Sequence, residues 1–165
     1  MVNSDVIIYT DGSSRGNPGP GGYGIVMEDC KTGFTKQYSK GFKMTTNNRM
    51  ELLAVIDALI KLKKNNLKIT VYTDSKYVVD AIEKKWVFKW KKSGFKNKKN
   101  VDLWLDFLSI YDKNKIAFKW IKGHNNHLQN EICDKLAFNA SKNKTLFIDE
   151  GYESQNLNKL FWRKH

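Results

Sequence analysis

The sequence predicts an α/β fold: a five-stranded mixed sheet, with three antiparallel strands and two further parallel strands, flanked by helices. The apolar run at residues 6–9, followed by glycines and prolines, is typical of a buried strand. Two strand-like segments joined by a turn come next, before any helical pattern, and indicate antiparallel pairing. Two later strands, before Asp74 and before His124, are each followed by a helix, which fits parallel pairing with the first strand.

The length of 165 residues predicts one folded domain. Cys30 and Cys133 lie far apart and match neither a disulfide framework nor a zinc pattern. We therefore expect two plain thiols in a reducing cytoplasm. No segment has the pattern of a secretion leader or the apolar length of a membrane span, so neither is expected.

The charge balance is the most informative property of the composition. Lysine and arginine number 29 against 17 aspartates and glutamates, which leaves a formal net charge of +12. A solvated surface can be basic for solubility alone. An excess of this size nevertheless favours a polyanionic partner such as nucleic acid.

The first strand is predicted to end at Asp11, the first candidate functional residue. The second strand is expected at residues 22–27 and the third at residues 34–42, with a turn at residues 29–33 between them. A carboxylate at the mouth of a buried strand must be solvated, paired or bound to a metal ion. We therefore expect other important side chains to converge on Asp11.

A helix follows the third strand, and Glu51 lies one turn into it. Thr46 or Asn47 can cap the N-terminus of this helix. Glu51 shares a face with Val55 and Ala58, which are expected to be buried, and an acid on such a face is unusual. Two explanations stay open, because Glu51 can complement the helix dipole or take part in a site.

The fourth strand, predicted at residues 68–73, is followed by Asp74, Ser75 and then a helix. Asp74 is thus a second acid at the C-terminal end of a strand, where functional groups of open α/β sheets collect. Asp74 or Ser75 can instead serve only as the cap of the helix.

Residues 84–99 differ in character from the rest of the chain. They hold eight lysines, no acid and four aromatic residues, and Trp86 and Trp90 are one helical turn apart. This alternation suits a nucleic-acid contact surface, with lysines for phosphates and aromatic faces for sugars or bases. The alternative is a set of core aromatics among solvated lysines.

The last part of the chain supplies two more candidates, His124 and Asp134. Asn100 is predicted to cap a helix, and a last strand is expected at residues 115–122. His124 lies in the loop after that strand, and Asp134 lies near the start of the next helix. His124 can also be an ordinary loop histidine, and Asp134 can be an acid that complements the helix dipole.

Four acids fall at the ends of elements beside apolar segments: Asp11, Glu51, Asp74 and Asp134. Four carboxylates brought together repel one another, and divalent metal ions relieve that repulsion. Two Mg²⁺ ions about 3.5–4 Å apart can activate an attacking water and stabilise the leaving oxygen of a phosphodiester. An acidic metal site in a protein of net charge +12 suggests metal-assisted phosphodiester hydrolysis.

Six motifs occur in order: Tyr-Thr-Asp-Gly-Ser at 9–13, Asn-Pro-Gly-Pro-Gly-Gly-Tyr-Gly at 17–24, Thr-Asn-Asn-Arg-Met-Glu at 46–51, Tyr-Thr-Asp-Ser at 72–75, Asn-Val-Asp-Leu-Trp at 100–104 and Trp-Ile-Lys-Gly-His at 120–124. Asn-Glu at 130–131 and Cys-Asp at 133–134 complete the pattern. Over about residues 5–141 the chain closely resembles the bacterial-type ribonuclease H1 family. Each motif alone is weak, whereas six in register are specific.

The resemblance implies an RNase H-like fold and an endoribonuclease that hydrolyses the RNA strand of RNA–DNA hybrids by two-metal-ion catalysis, leaving 3′-hydroxyl and 5′-phosphate ends. The implied cofactor is Mg²⁺, with two ions per site in the substrate complex and Mn²⁺ as a substitute. The expected partner is the hybrid duplex, with no membrane partner, and the chain is expected to be a monomer.

The catalytic domain is expected at residues 1–143, with a basic protrusion, or handle, at about residues 84–99. A C-terminal tail at residues 144–165 can dock on the domain.

The resemblance also implies residue roles. The four carboxylates match the family's metal ligands, and His124 matches a loop histidine that assists proton transfer or product release. Asn17, Asn47 and Asn48 match residues that read the minor groove of the hybrid. Thr46 and Asn100 match a pocket for a phosphate of the DNA strand. The complete set of implied substrate-binding residues is Ser14, Asn17, Thr46, Asn47, Asn48, Asn100, Trp86, Trp90, Lys89, Lys91 and Lys92.

Two other functions are compatible with the same fold. A nucleic-acid-binding module without activity is one, but an inactive relative would be free to lose carboxylates and all four are present. A nuclease that acts on DNA junctions or in transposition is the other. That alternative gains no support from Asn17, Asn47 or the handle.

Overall fold

The computed structural model describes residues 3–123 and 127–164. In these ranges the elements are β1 Val6–Ser14, β2 Gly19–Asp29, β3 Thr35–Thr45, α1 Asn47–Ile60, β4 Lys68–Thr73, α2 Lys76–Glu83, α3 Trp86–Lys92, α4 Val101–Tyr111, β5 Lys115–Trp120, α5 Leu128–Ser141 and α6 Glu150–Arg163. The order of strands and helices agrees with the predicted one. No helix within the described ranges has the length and apolar character that crossing a membrane requires.

The strands form one mixed sheet in the order β3-β2-β1-β4-β5. β2 pairs antiparallel with both β1 and β3, while β4 runs parallel to β1 and β5 runs parallel to β4. The predicted five-stranded mixed sheet is confirmed. Because β1, β4 and β5 are parallel, the chain leaves all three at the same edge of the sheet.

β1 is longer than predicted, and this changes the setting of Asp11. The strand continues to Ser14, and Asp11 pairs with Gly24 of β2. Pairing with β4 stops at Tyr9. Asp11 therefore lies where β1 separates from β4, within the strand, and the predicted strand end at Asp11 is wrong. β2 and β3 also extend beyond their predicted limits, whereas β5 ends earlier, at Trp120.

Helices cover both faces of the sheet. Ile8 belongs to the main core cluster, which includes the buried apolar residues of α1, whereas Tyr9 packs with Cys133 of α5. Successive residues of a strand point to opposite faces, so α1 and α5 lie on opposite sides of β1. Trp104 and Phe107 of α4 are fully buried and extend the core beside α1.

Glycines let α5 lie directly on the backbone of the sheet. A Cβ atom at Gly24 would be 2.3 Å from the carbonyl oxygen of Cys133, and one at Gly41 would be 2.0 Å from that of Ala140. Both distances are too short for any real side chain. The glycines of β2 and β3 therefore set the distance between sheet and helix, and with it the position of the α5 residue Asp134.

The C-terminal tail is attached through a buried ion cluster. The Arg49 guanidinium donates to both carboxylate oxygens of Asp149, at 2.8 and 2.9 Å, and to both of Asp102, at 2.8 and 2.7 Å. The Thr45 hydroxyl donates to Asp149 at 2.7 Å. Arg49 is 2% exposed, and its charge is compensated by the buried Asp149 and the half-buried Asp102. Through Asp149, the cluster fixes the start of α6 against the start of α1.

Candidate active site

A cavity of about 400 Å³ contains all four predicted metal-binding carboxylates. They come from β1, the first turns of α1, the segment after β4 and α5: Asp11, Glu51, Asp74 and Asp134. One carboxylate oxygen from each of the first three lies within 4.8 Å of the others. The Asp134 side chain lines the same cavity, and its charge acts on Asp11. Acids that are up to 123 positions apart in the chain thus meet in one cavity.

Glu51 is directed into the cavity by close packing of α1 on β1. A Cβ atom at Gly12 would be 2.4 Å from the backbone nitrogen of Glu51, so only glycine allows this approach. The Thr73 hydroxyl donates to the Glu51 carboxylate at 3.5 Å. The Gly12 amide donates to the Asp11 carboxylate at 3.0 Å. The side chain of Glu51 is therefore part of the acidic cavity and not an exposed partner of the helix dipole.

Asp74 is available to the cavity because its neighbour caps the helix. The Ser75 hydroxyl accepts a hydrogen bond from the Val78 amide and so caps α2. The Trp120 indole donates to the backbone carbonyl of Asp74 at 3.0 Å. A Cβ atom at Gly123 would be 2.7 Å from the Asp74 carboxylate. Gly123 and Trp120, which were not among the predicted site residues, thus define the space around Asp74.

The carboxylates of the cavity affect one another's protonation. Burial, followed by the charges of Asp74 and Asp134, raises the pKa of Asp11 to about 8. Burial and the charges of Asp11 and Asp74 raise the pKa of Glu51 well above its ordinary value. The protein alone therefore does not stabilise full ionisation of the cluster at neutral pH. A set of close, buried oxygen donors with this property fits a bound divalent cation.

The residues predicted to read the minor groove lie around the start of α1. The side-chain oxygen of Asn17 accepts from the backbone amide of Asn47 at 3.1 Å, and Thr46 caps α1 through its hydroxyl. Asn48 is exposed and lines the acidic cavity. The Ser14 hydroxyl is buried and has no hydrogen-bond partner in the described part of the chain.

A second groove, of about 460 Å³, begins at Asn48 and contains the two tryptophans of the handle. Trp86 is 41% exposed, whereas Trp90 packs edge-on against the buried Trp104 with ring centres 6.0 Å apart. Trp86 therefore has an aromatic ring that is open to the groove. Trp90 lines the same groove and also closes the edge of the core, and substrate contact by either ring stays a prediction.

The lysines of the handle divide into two groups. Lys89, Lys91 and Lys92 are exposed on α3 but are not among the residues that line the three grooves around Asn48. Lys98 and Lys99, which were not predicted as site residues, line two of these grooves. The run of eight lysines predicted a basic surface in this part of the chain. Which of these lysines face the grooves depends on the path of the backbone. Four residues with left-handed backbone set the path of the chain between α3 and α4: Gly94, Phe95, Asn97 and Asn100.

Asn100 has a different local role from the predicted one. It occupies the N-cap position of α4 in a left-handed conformation, with φ 61°, and its side chain does not cap the helix. Its side-chain amide donates to the Tyr77 hydroxyl at 3.0 Å, and the Trp104 indole donates to the same hydroxyl at 2.9 Å. Asn100 lines both grooves that lie beside the acidic cavity. His124, the remaining predicted site residue, lies outside the described residues.

Comparisons with known proteins agree with this geometry. The family model described as RNase H matches residues 3–142. A Ribonuclease H of Rippkaea orientalis is 46% identical over 92% of this chain and 94% of its own length. A Ribonuclease H of Desulforamulus reducens is 49% identical over 88% of this chain and 92% of its own length. A Ribonuclease HI of Synechocystis is 43% identical, covering 90% and 95%.

Solved structures show the same similarity. The crystal structure of LC9-RNase H1, a type 1 RNase H with the type 2 active-site motif, has a TM-score of 0.76 and 32% identity over 94% of this chain and 82% of its own. LC11-RNase H1, crystallised in complex with an RNA/DNA hybrid, has a TM-score of 0.63 and 28% identity, with 82% and 95% covered. Sequence motifs, sheet topology and these comparisons agree, and the chain belongs to the RNase H family.

Proposed function

We propose that the chain is a metal-dependent endonuclease that hydrolyses the RNA strand of RNA–DNA hybrids and leaves 3′-hydroxyl and 5′-phosphate ends. The observation that carries this proposal is a group of three carboxylates within 4.8 Å of one another, two of them buried and one half-buried, with Asp134 lining the same cavity. In a chain of net charge +12, such a group is well suited to hold cations against an anionic substrate.

The donor set favours Mg²⁺, with Mn²⁺ as a substitute. Its ligands are Asp11, Glu51, Asp74 and Asp134. Mg²⁺ is bound by few carboxylates, by waters and by substrate phosphate oxygens, and all the donors here are carboxylate oxygens. Burial and mutual repulsion raise the pKa values of Asp11 and Glu51, and bound cations would offset both effects.

Two bound divalent ions supply an activated water and stabilisation of the leaving oxygen. The protein residues hold and orient the ligands. Gly12 donates its amide to Asp11, Thr73 donates its hydroxyl to Glu51, and Gly123 leaves room for the Asp74 carboxylate. His124, from its resemblance to the family's loop histidine, assists proton transfer or product release.

Substrate recognition uses the surfaces that converge on Asn48. Asn17, Asn47 and Asn48 contact the minor groove, where 2′-hydroxyl groups distinguish RNA from DNA. Thr46 and Asn100 bind a phosphate of the DNA strand. The handle contacts the same strand through two tryptophans and three lysines: Trp86, Trp90, Lys89, Lys91 and Lys92. Ser14 is assigned to the same substrate surface.

The direct test uses a labelled RNA–DNA hybrid beside the matching RNA duplex, DNA duplex and single strands, with Mg²⁺, with Mn²⁺ and with chelator. We expect cleavage of the hybrid RNA only, its loss in chelator, and products with 5′-phosphate ends. Asp11→Asn should abolish cleavage while hybrid binding largely survives. Near-wild-type turnover by Asp11→Asn in Mg²⁺ would refute the assignment, and hybrid binding without cleavage by the unmodified chain would indicate a non-catalytic binding module.

The proposal includes a monomer in a reducing cytoplasm. Cys30 is exposed, Cys133 is buried, and both are free thiols, which fits such a compartment. Light scattering of the chain with and without hybrid measures its oligomeric state. A stable dimer in both conditions would contradict the monomer.

A further inference from the structure

A polar groove of about 470 Å³ lies beside the acidic cavity, and α6 forms one of its walls. Four residues of α6 line this wall: Tyr152, Gln155, Asn156 and Lys159. Their spacing of three and four residues puts them on one stripe of the helix. The opposite wall comes from the N-terminal ends of α1 and α4 and from the lysines that precede α4. The groove is thus shared between the tail and the rest of the protein.

The groove is positively charged. Lys98, Lys99 and Lys159 line it, and no acid is among the described residues that do so. Lys99 and Lys159 form no ion pair anywhere in residues 3–123 and 127–164. Most of the other lining side chains carry amide or hydroxyl groups. Unpaired ammonium groups beside amide donors are the chemistry that binds phosphodiester oxygens.

Asn48 connects this groove with the acidic cavity, because it lines both. It also lines the aromatic groove that contains Trp86. A nucleic-acid backbone that passes Asn48 therefore has two positively charged surfaces beside it. One leads towards Trp86 and the other towards Lys159.

The first turn of α6 is held in place. Its N-cap residue, Asp149, is 6% exposed and is bound by Arg49, as described above. A Cβ atom at Gly151 would be 2.0 Å from a carboxylate oxygen of Asp102, so the first turn of α6 lies directly on the Arg49–Asp102 pair. α6 also lies outside residues 3–142, the part of the chain that the family model matches. The wall is therefore an addition to the matched domain.

We propose that α6 is a further substrate-binding surface, on which Lys159, with Gln155 and Asn156, binds the phosphate backbone of the nucleic acid next to the metal site. This inference rests on the proposed function, because it assumes that a nucleic acid occupies the acidic cavity. It adds a contact that increases affinity for the substrate and leaves the chemistry of the cavity unchanged.

The test compares Lys159→Glu with Lys64→Glu in the Asp11→Asn background. Both lysines are exposed and both variants change the charge equally. Lys64 follows the C-terminal end of α1, whereas the groove lies at its N-terminal end, and 14 helical residues span about 20 Å. The Kd for a fluorescein-labelled RNA–DNA hybrid of about two helical turns is measured by anisotropy over a range of salt concentrations. KM for hydrolysis is measured with the same substitutions in the otherwise unmodified chain.

We expect Lys159→Glu to weaken hybrid binding about 3- to 10-fold more than Lys64→Glu and to reduce the salt slope by about one. KM should rise by a similar factor. Lys159→Ala should show a smaller change in the same direction. Equal Kd values and salt slopes for the two charge reversals would overturn the proposal.

The two proposals fail in different ways. If the unmodified chain cleaves hybrids and both charge reversals behave alike, the α6 surface is refuted and the proposed function stands. If the unmodified chain cleaves no hybrid, the proposed function fails, and the anisotropy comparison still decides whether α6 contacts nucleic acid.

Discussion

The acidic cavity and the groove beside α6 meet at Asn48 but are built in opposite ways. In the cavity, Asp11 and Glu51 are each 5% exposed, and backbone packing against glycines sets their positions. In the groove, the cations are exposed lysines with flexible side chains. In the function proposed above, chemistry depends on buried geometry, where small displacements are costly, whereas affinity is divided among many weak, salt-dependent contacts.

The largest difference between the two regions should appear when a carboxylate of the cavity is removed. Asp74→Asn should lower kcat by about 1,000-fold or more, because a proposed metal ligand is lost. Steady-state hydrolysis of a labelled hybrid measures the effect. Asp106→Asn, the same chemical change at an exposed position of α4, is the matched control and should leave kcat unchanged. Similar rates for the two variants would show that Asp74 is not a ligand.

The next prediction concerns the pH dependence of stability in chelator. The pKa of Asp11 is raised from the ordinary 3.8 to about 8, so folding favours its protonated form. The stabilisation by bound protons is complete below pH 3.8 and is lost as the pH rises through 8. Tm of the metal-free protein should fall across this interval, and the fall should be smaller in Asp11→Asn. Mg²⁺ should raise Tm more at pH 8 than at pH 5.

The fall of Tm with rising pH must originate in the acidic cavity if Asp11 causes it. The change in Tm between acidic and alkaline pH, measured by differential scanning calorimetry, should therefore be larger for the unmodified chain than for Asp11→Asn. The same decrease in both proteins would assign it to other groups.

A smaller loss of activity should follow from moving a proposed metal ligand without removing it. A methyl group at Gly24 would be 2.3 Å from the Cys133 carbonyl oxygen and should push α5, and with it Asp134, away from the sheet. Displacements of about 1 Å can cost about 100-fold in rate, so Gly24→Ala should lower kcat by about 10- to 100-fold. Ile25→Val, a change in the core at the next position of β2, is the control.

Both substitutions should lower Tm, since overpacking and lost methylenes each destabilise a core. Only Gly24→Ala should also lower kcat at saturating substrate. A parallel loss of kcat in Ile25→Val would mean that general destabilisation, and not the position of α5, is responsible.

On the binding side, replacing lysines should change the salt dependence of affinity. Lys98→Ala with Lys99→Ala should reduce the salt slope by about two, because both line the grooves that meet at Asn48. The triple Ala variant of Lys89, Lys91 and Lys92 should also reduce the salt slope. The reduction per lysine should be smaller than in the double variant. A larger effect per lysine from the triple variant would show that α3 grips the substrate more directly than the grooves do.

The last prediction compares the two tryptophans of the handle. Trp86→Ala should weaken hybrid binding by about 1–3 kcal/mol, the usual contribution of one stacking contact, with little change in Tm. Trp90→Ala should lower Tm, because its ring packs against Trp104. If Trp86→Ala lowers only Tm, its aromatic face serves the core and not the substrate.

The positions of the acids could largely be predicted from the sequence, because each follows a simple physical rule. Asp74 follows a strand, and Glu51 lies on a helical face with apolar residues. Parallel strands bring such positions to one edge of the sheet. The end of β1 could not be predicted in the same way. Gly12 and the glycines of β2 have the composition of a turn, but they serve close helix packing and leave the strand continuous.

The binding surfaces were harder to predict, because they depend on backbone direction and on distant contacts. No local rule distinguishes Lys98 from Lys89 within one lysine run, since left-handed residues such as Asn97 decide which side chains face the grooves. The position of α6 depends on a contact between Arg49 and Asp149, a hundred residues apart. Single-sequence patterns do not report such a pair.

The buried Arg49 cluster has a practical consequence for protein engineering. Arg49 lies two residues before Glu51, and through Asp149 it holds the tail in position. A bulky fusion or surface attachment after α6 would pull on the helix that carries a proposed metal ligand and would crowd the groove beside it. The start of β1 lies at the other end of that strand from the acidic cavity. An affinity tag or immobilisation linker is therefore better attached before β1, where neither the cavity nor the groove would be disturbed.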